Sequence, residues 1–145
     1  FKLTTGTFVS VGPLRAKVIA FGAPYIQDVV LTGLNLKEVG ALIFPTQAVR
    51  ELASLPADAP MKEVIESAGV QQHFQKVIDR LAGDATGSAS RIARAALVAE
   101  PPSIDKGEVT DKGSINQRAV LKHRDAVVQA LHGDALPLTL KPQWQ

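Results

Sequence analysis

Apolar residues near the start of the chain recur every three or four positions, and this spacing predicts an amphipathic helix. Ser10 is the expected N-cap, Pro13 falls in the first turn, where its missing N–H costs nothing, and Gly22 ends the helix. The residues that share the apolar face are Val11, Leu14, Val18 and Phe21.

Two segments rich in β-branched and apolar residues follow, and they predict strands over residues 25–32 and 39–44. The turn at 33–35 between them is short, so an antiparallel hairpin is the simplest arrangement. A third, less distinct strand is predicted over residues 95–99, before the prolines at 101 and 102 stop it.

The remaining pattern predicts helices. A short one runs from Thr46 through Leu52, a longer one begins near Met61, and a final one runs from Asn116 to about His132. The longer helix has the strongest apolar stripe, made of Val70, Phe74, Val77, Ile78 and Leu81. The inner face of the final helix is predicted to hold Val120, Val127, Ala130 and Leu131.

Residues 83–88 interrupt the helical pattern, and Ser88 or Ser90 is the expected start of the next element. Together the elements predict a small α/β domain of the α+β-like kind, in which a few strands pack against flanking helices.

The 145 residues suit one domain, and the 46% hydrophobic and 21% charged content excludes general disorder. A net charge of +2 is too small to indicate a nucleic-acid partner. The absence of cysteine excludes a zinc–thiolate site and a cysteine nucleophile. No apolar run is long enough for a membrane span, and the expected compartment is the cytoplasm. Because the chain starts at Phe1 and its only methionine is Met61, we expect a piece of a longer protein.

Common catalytic motifs are missing from the sequence. The glycine-bearing segment 83–88 lacks the lysine of a P-loop. The histidines at 73, 123 and 132 have no metal-ligand spacing, so His73 and His123 are expected to be exposed and His132 to lie in a last helical turn. No metal site is predicted.

Two glycine-bearing segments are better candidates for a functional site. Residues 2–12 form a polar loop that leads into the first helix, and Gly6 would let a ligand approach the backbone closely. In residues 109–118, Lys112 lies on a glycine-bearing turn just before a helix, which suits a cation directed at a phosphate or carboxylate. The alternative for this second segment is a plain helix start capped by Ser114 or Asn116, with Lys112 solvated.

In this order, and about a hundred residues apart, the two segments resemble the C-terminal domain of AMP-forming acyl-CoA synthetases, in the adenylate-forming superfamily. The first segment is similar to the loop after that family's hinge. The residues that match this loop are Lys2, Leu3, Gly6, Phe8, Val9 and Ser10. The second resembles the closing lysine motif, commonly Thr-x-x-Gly-Lys-Ile-x-Arg. Here Ser114 stands where the family has lysine, and Lys112 precedes Gly113 instead. The form of this motif resembles feruloyl-CoA synthetases and related aryl or long-chain ligases.

The resemblance implies that residues 1–145 are a mobile closing domain with a small three-stranded sheet, a helical insertion around 57–90, and a large N-terminal partner domain outside the chain. It implies two steps in the whole enzyme. A fatty or aryl carboxylate reacts with ATP and Mg²⁺ to give acyl-AMP, and CoA then displaces AMP. This domain alone would hold none of these groups and would be inactive.

The same resemblance implies the roles of individual residues. Lys112 would be catalytic in the first step, and the loop residues Lys2, Thr5, Gly6, Thr7 and Phe8 would face CoA in the second. Two other classes remain open from composition alone: a small α/β binding module without a catalytic partner, and a regulatory or dimerisation domain.

Overall fold

Three strands form one sheet in the order β1–β2–β3, namely β1 (Ile26–Thr32), β2 (Val39–Pro45) and β3 (Ile92–Leu97). The computed structural model describes residues 1–85, 87 and 91–143. Strands β1 and β2 are antiparallel, whereas β2 and β3 are parallel. The predicted hairpin of the first two strands is confirmed. The prediction that Ser88 or Ser90 begins an element lies outside the described residues.

Helices cover both faces of the sheet. Helices α1 (Val11–Gly22) and α3 (Ala68–Asp84) belong to one hydrophobic cluster, which includes Val29 and Leu31 of β1. Helices α4 (Gln117–His123) and α5 (Asp125–His132) belong to a second cluster, which includes Val30. Alternate residues of a strand point to opposite faces, so β1 serves both clusters. Its neighbour β2 is buried from Val39 to Phe44, as a central strand covered on both faces must be.

A 3-10 helix (Gln47–Leu52) and α2 (Met61–Glu66) connect β2 to α3. The predicted long helix from Met61 is therefore two helices, because Ser67 has extended backbone angles and its hydroxyl donates to the Val64 carbonyl. The stripe predicted for it is confirmed, since Val70, Phe74, Val77, Ile78 and Leu81 are all buried. None of the helices in the described ranges is both long and apolar enough to cross a membrane.

Two boundaries predicted from the sequence were wrong. Strand β3 begins at Ile92 and ends at Leu97, and Arg94, which breaks the apolar run, lies inside it and donates to the carbonyls of Leu131 and His132. The final helix is two helices, because the backbone at Arg124 ends α4 and begins α5. As a result Val128, rather than Val127 and Ala130, is buried with Leu131.

The predicted caps differ as well. Ser10 has the extended backbone of an N-cap, but its side chain makes no capping hydrogen bond. The Thr46 hydroxyl donates to the Pro24 carbonyl instead of capping the 3-10 helix. Asn116 does cap α4, since its side-chain oxygen accepts from the Ala119 N–H at 3.3 Å.

Candidate functional site

Residues 1–9 form a tight β-hairpin, the first hairpin. The Leu3 N–H donates to the Thr7 carbonyl and the Gly6 N–H donates to the Leu3 carbonyl, both at 2.9 Å. Gly6 has a φ of +86°, and a Cβ built on it would meet no atom within 4 Å. The glycine is therefore required by the backbone and leaves open space at the tip.

The side chains of the first hairpin divide into an anchor and an exposed face. Leu3 and Val9 are buried in the α1 and α3 cluster. Phe8 is 68% exposed, and the Lys2 ammonium lies 4.9 Å from the centre of its ring. The Thr5 hydroxyl donates to the Thr7 hydroxyl at 3.1 Å. The structure thus brings together Lys2, Thr5, Gly6, Thr7 and Phe8, the residues predicted to face CoA.

Residues 108–116 form the second hairpin. The Thr110 N–H donates to the Ser114 carbonyl at 2.8 Å, and the Gly113 N–H donates to the Thr110 carbonyl at 2.9 Å. Gly113 has a φ of +81°, which completes a three-residue loop of the kind that ends in a left-handed residue. Lys112 lies exposed in this loop. The Ser114 hydroxyl is 2.8 Å from the Thr110 hydroxyl across the stem.

A buried ion pair supports the first strand of the second hairpin. The side chain of Glu108 is 1% exposed, and its two oxygens accept from Arg124 Nε and Nη2, each at 3.0 Å. The bound guanidinium is the main reason that the pKa of the Glu108 carboxyl lies below its ordinary value. The Ser103 N–H also donates to Glu108, so this carboxylate joins the hairpin to the preceding turn.

A second ion pair supports the other strand. The Ile115 N–H donates to Asp28 Oδ2 at 3.2 Å, and Asp28 also accepts from Arg15 Nε and Nη2 at 2.7 and 2.8 Å. Asp28 is buried at the start of β1, whereas Arg15 lies on α1. One carboxylate therefore links α1, the helix that follows the first hairpin, to the second hairpin.

The two hairpins are anchored in different hydrophobic clusters. The buried residues of the first hairpin pack with α1 and α3, whereas Ile115 packs against the α4 and α5 cluster. Among the described residues, no hydrogen bond or ion pair joins Lys112 to Lys2 or Gly6.

Sequence reasoning missed the supports of these hairpins. Glu108 and Arg124 are 16 residues apart, and Arg15 and Asp28 are 13 apart, so no short motif relates either pair. Arg124 also lies inside the apolar spacing that predicts one continuous final helix, so the sequence does not mark it as a helix boundary. Only the folded chain brings each pair into contact.

The three histidines have different surroundings. His132 Nε2 is 2.7 Å from the Thr32 hydroxyl, and burial lowers its pKa below the ordinary value. The expectation that His73 is exposed was wrong, because its ring is half-buried between those of Tyr25 and Phe74. Within the described ranges, no group of three or more His, Cys, Asp or Glu side chains is placed to bind a metal ion.

Comparison with known families decides what kind of domain carries these hairpins. The profile of the family described as "AMP-binding enzyme C-terminal domain" matches residues 2–135, which include all of the first hairpin but Phe1, the second hairpin and the three strands. The chain belongs to this family, within the adenylate-forming superfamily. The resemblance deduced from the two segments is confirmed at that level.

Solved structures of the adenylate-forming superfamily have the same fold. The adenylation domain of a carboxylic acid reductase from Segniliparus rugosus, in complex with AMP and a co-purified carboxylic acid, has a TM-score of 0.62 and 20% identity, over 94% of this chain and 20% of that chain. The adenylation domain of a carboxylate reductase from Mycobacterium chelonae has a TM-score of 0.61 and 21% identity, over 92% and 19% of the two chains. The AMP-binding enzyme C-terminal domain thus spans about a fifth of the length of each matched structure. No curated protein matches the sequence.

Proposed function

We propose that the AMP-binding enzyme C-terminal domain described above is the closing domain of an ATP-dependent, AMP-forming acid–CoA ligase, and that it works with a large N-terminal domain outside this chain. The observation that carries the proposal is the pair of exposed hairpins anchored in different hydrophobic clusters of one small domain, one of them tipped by a lysine. Two hairpins with separate anchors suit a domain that serves two successive steps in two orientations.

In the first step, the carboxylate of a fatty or aryl acid attacks the α-phosphate of ATP, forming acyl-AMP and releasing pyrophosphate. Lys112 would bring its positive charge to the carboxylate and phosphate oxygens, where negative charge increases in the transition state. The exposed position of Lys112 supports this role. Ser114 occupies the family's lysine position, but its hydroxyl pairs with that of Thr110 and carries no charge.

In the second step, the CoA thiol attacks the acyl carbonyl and AMP leaves. The first hairpin would then face the pantetheine arm, with Gly6 at the tip, Thr5 and Thr7 beside it, and Lys2 and Phe8 along the stem. Open space at Gly6 supports this role, because any larger side chain there would project into the path of the thiol.

We assign the ATP and the Mg²⁺ that accompanies it to the N-terminal domain, as the family resemblance implies. The segment around 57–90, which contains α2 and α3, is proposed to be an insertion relative to shorter members of the family. Family membership does not favour a non-catalytic binding or dimerisation module.

The experiment that tests the function supplies the full-length enzyme with ATP, CoA and a panel of fatty and aryl acids, and separates the products. We expect AMP, pyrophosphate and an acyl-CoA from at least one acid, and the same assay identifies the acid. Consumption of ATP and acid without acyl-CoA, or release of an aldehyde when a reductant is added, would contradict the ligase assignment and favour a reductase.

A further inference from the structure

Arg124 makes more contacts than a helix boundary requires. Besides its two bonds to Glu108, its guanidinium donates to the carbonyls of Glu100 and Pro101 at 3.1 and 2.9 Å. The centre of the guanidinium also lies 5.1 Å from the centre of the Phe44 ring, at the end of β2. One side chain therefore connects the sheet, the 100–101 turn and the base of the second hairpin.

The ion pair lies at the base of the hairpin. The main-chain carbonyl of Glu108 accepts from the Asn116 N–H at 2.8 Å, and this bond closes the stem two residues below the Thr110 and Ser114 pair. Two-stranded stems rise about 3.4 Å per residue, so the tip lies roughly 10 Å from this base. A tilt of about 6° at the base would move the tip by about 1 Å, and a misplacement of that size can lower a rate by about 10²-fold.

We propose that Arg124 and Glu108 are positioning residues for the adenylation step: they hold the base of the second hairpin so that Lys112 reaches the reacting oxygens when the domain closes. This inference rests on the proposed function of Lys112. Neither side chain touches the substrate. The burial of Glu108 keeps water away from the pair, and the two parallel hydrogen bonds fix the direction of the stem as well as its place.

The test measures two half-reactions of the full-length enzyme: pyrophosphate release during acyl-AMP formation, and acyl-CoA formation from supplied acyl-AMP. Arg124→Ala should lower the first rate about 10- to 100-fold and leave the second within about twofold. Arg124→Lys keeps the charge but loses the paired geometry, so it should give an intermediate loss in the first rate. If Arg124→Ala fails to fold, Glu108→Gln, which keeps the shape of the side chain, replaces it as the test variant in the same two assays.

Two controls separate positioning from general stability. Arg94→Ala removes an arginine with the same 11% side-chain exposure, also bound to carbonyls and carboxylates, but unconnected to the second hairpin. It should change both half-reactions equally or not at all. In a Lys112→Ala background, Arg124→Ala should cause less than about a twofold further loss in the first rate, because the ion pair acts through Lys112.

Three results would overturn the inference. The first is an equal loss in both half-reactions of Arg124→Ala, and the second is an unchanged rate of acyl-AMP formation in that variant. The third is a double variant whose loss of acyl-AMP formation equals the product of the losses in Arg124→Ala and Lys112→Ala. An unchanged rate of acyl-AMP formation in Arg124→Ala, combined with a large loss in Lys112→Ala, would reject the positioning role and leave the proposed function standing. No loss in Lys112→Ala itself would instead reject the role of Lys112, on which the inference rests.

Discussion

Gly6 and Gly113 occupy the same position in two hairpins with the same hydrogen bonding. Their φ angles are +86° and +81°, and each N–H donates to the carbonyl three residues earlier, at 2.9 Å. The pairs that close the stems, Lys2 with Phe8 and Val109 with Ile115, have the same register relative to the glycine. One local structure is therefore used twice, with anchors in two different hydrophobic clusters, and each hairpin leads directly into a helix.

Because the two hairpins have the same structure but different proposed roles, the same substitution in each should affect a different half-reaction. Replacing either glycine by leucine imposes the same backbone strain, roughly 1–2 kcal/mol for a side chain in the left-handed region. Gly6→Leu in the full-length enzyme should slow acyl-CoA formation from supplied acyl-AMP more than acyl-AMP formation, because the side chain obstructs the thiol. Gly113→Leu should do the reverse, because it displaces Lys112. Each variant is the control for the other, and equal effects on both half-reactions would reject separate roles for the hairpins.

Two glycines within α3 should have opposite effects on stability. A Cβ on Gly69 would collide with the carbonyl oxygen of Leu52, whereas a Cβ on Gly83 would meet no atom within 4 Å. Gly69→Ala should therefore lower the free energy of unfolding by about 1–3 kcal/mol. Gly83→Ala should raise it by about 0.5–1 kcal/mol through helix propensity. Urea unfolding of the two variants measures both values, and equal signs would mean that α3 does not pack on the 3-10 helix as described.

Stability should fall as the pH drops below about 6.5, the ordinary pKa of histidine. Burial, with the nearby Arg94 charge, lowers the pKa of His132, and Glu38 opposes this shift only in part. In that pH range the unfolded chain binds a proton that the folded chain does not, so acid favours unfolding. The pKa of His73 is lowered too, also mainly by burial.

His132→Gln should therefore reduce, but not abolish, the difference in unfolding free energy between pH 7.5 and pH 5.5. A pH dependence identical in the wild-type and His132→Gln proteins would show that His132 is as accessible to protons in the folded state as in the unfolded one.

The chain should fold on its own and be inactive on its own. Its two hydrophobic clusters cover both faces of the sheet and supply the core that a cooperative transition needs. We expect one sharp thermal transition, followed by circular dichroism, and no pyrophosphate release from ATP with an acyl acid. Pyrophosphate release by residues 1–145 alone would contradict the assignment of the nucleotide and acyl sites to another domain.

Much of this fold is predictable from periodicity, because the stripes that form the core are local. The Val70, Phe74 and Leu81 face of α3 and the hairpin of β1 and β2 follow from spacing alone. The start of β3 and the break at Arg124 do not, because each involves an arginine whose partners are distant in sequence. Arg94 reaches α5, and Arg124 reaches Glu108.

The candidate site is also predictable only in part. The glycine turns and the residues at their tips are visible in short motifs, since a left-handed residue and an exposed lysine are local features. The supports of those tips are not visible. The link from Arg15 through Asp28 to the Ile115 N–H connects three separate segments, and only the folded sheet brings them together.

The central claim is that Lys112 supplies the positive charge for adenylation, and the rate of acyl-AMP formation by full-length Lys112→Ala tests it most directly. We expect a loss of about 10²–10³-fold, or roughly 3–4 kcal/mol, as when one electrostatic contact is removed from a transition state. Formation of acyl-CoA from supplied acyl-AMP should stay nearly unchanged. Arg118→Ala and Lys122→Ala, which remove two cations of the helix after the second hairpin, should retain adenylation. Full adenylation by Lys112→Ala together with its loss in Arg118→Ala would contradict the account and move the role to Arg118.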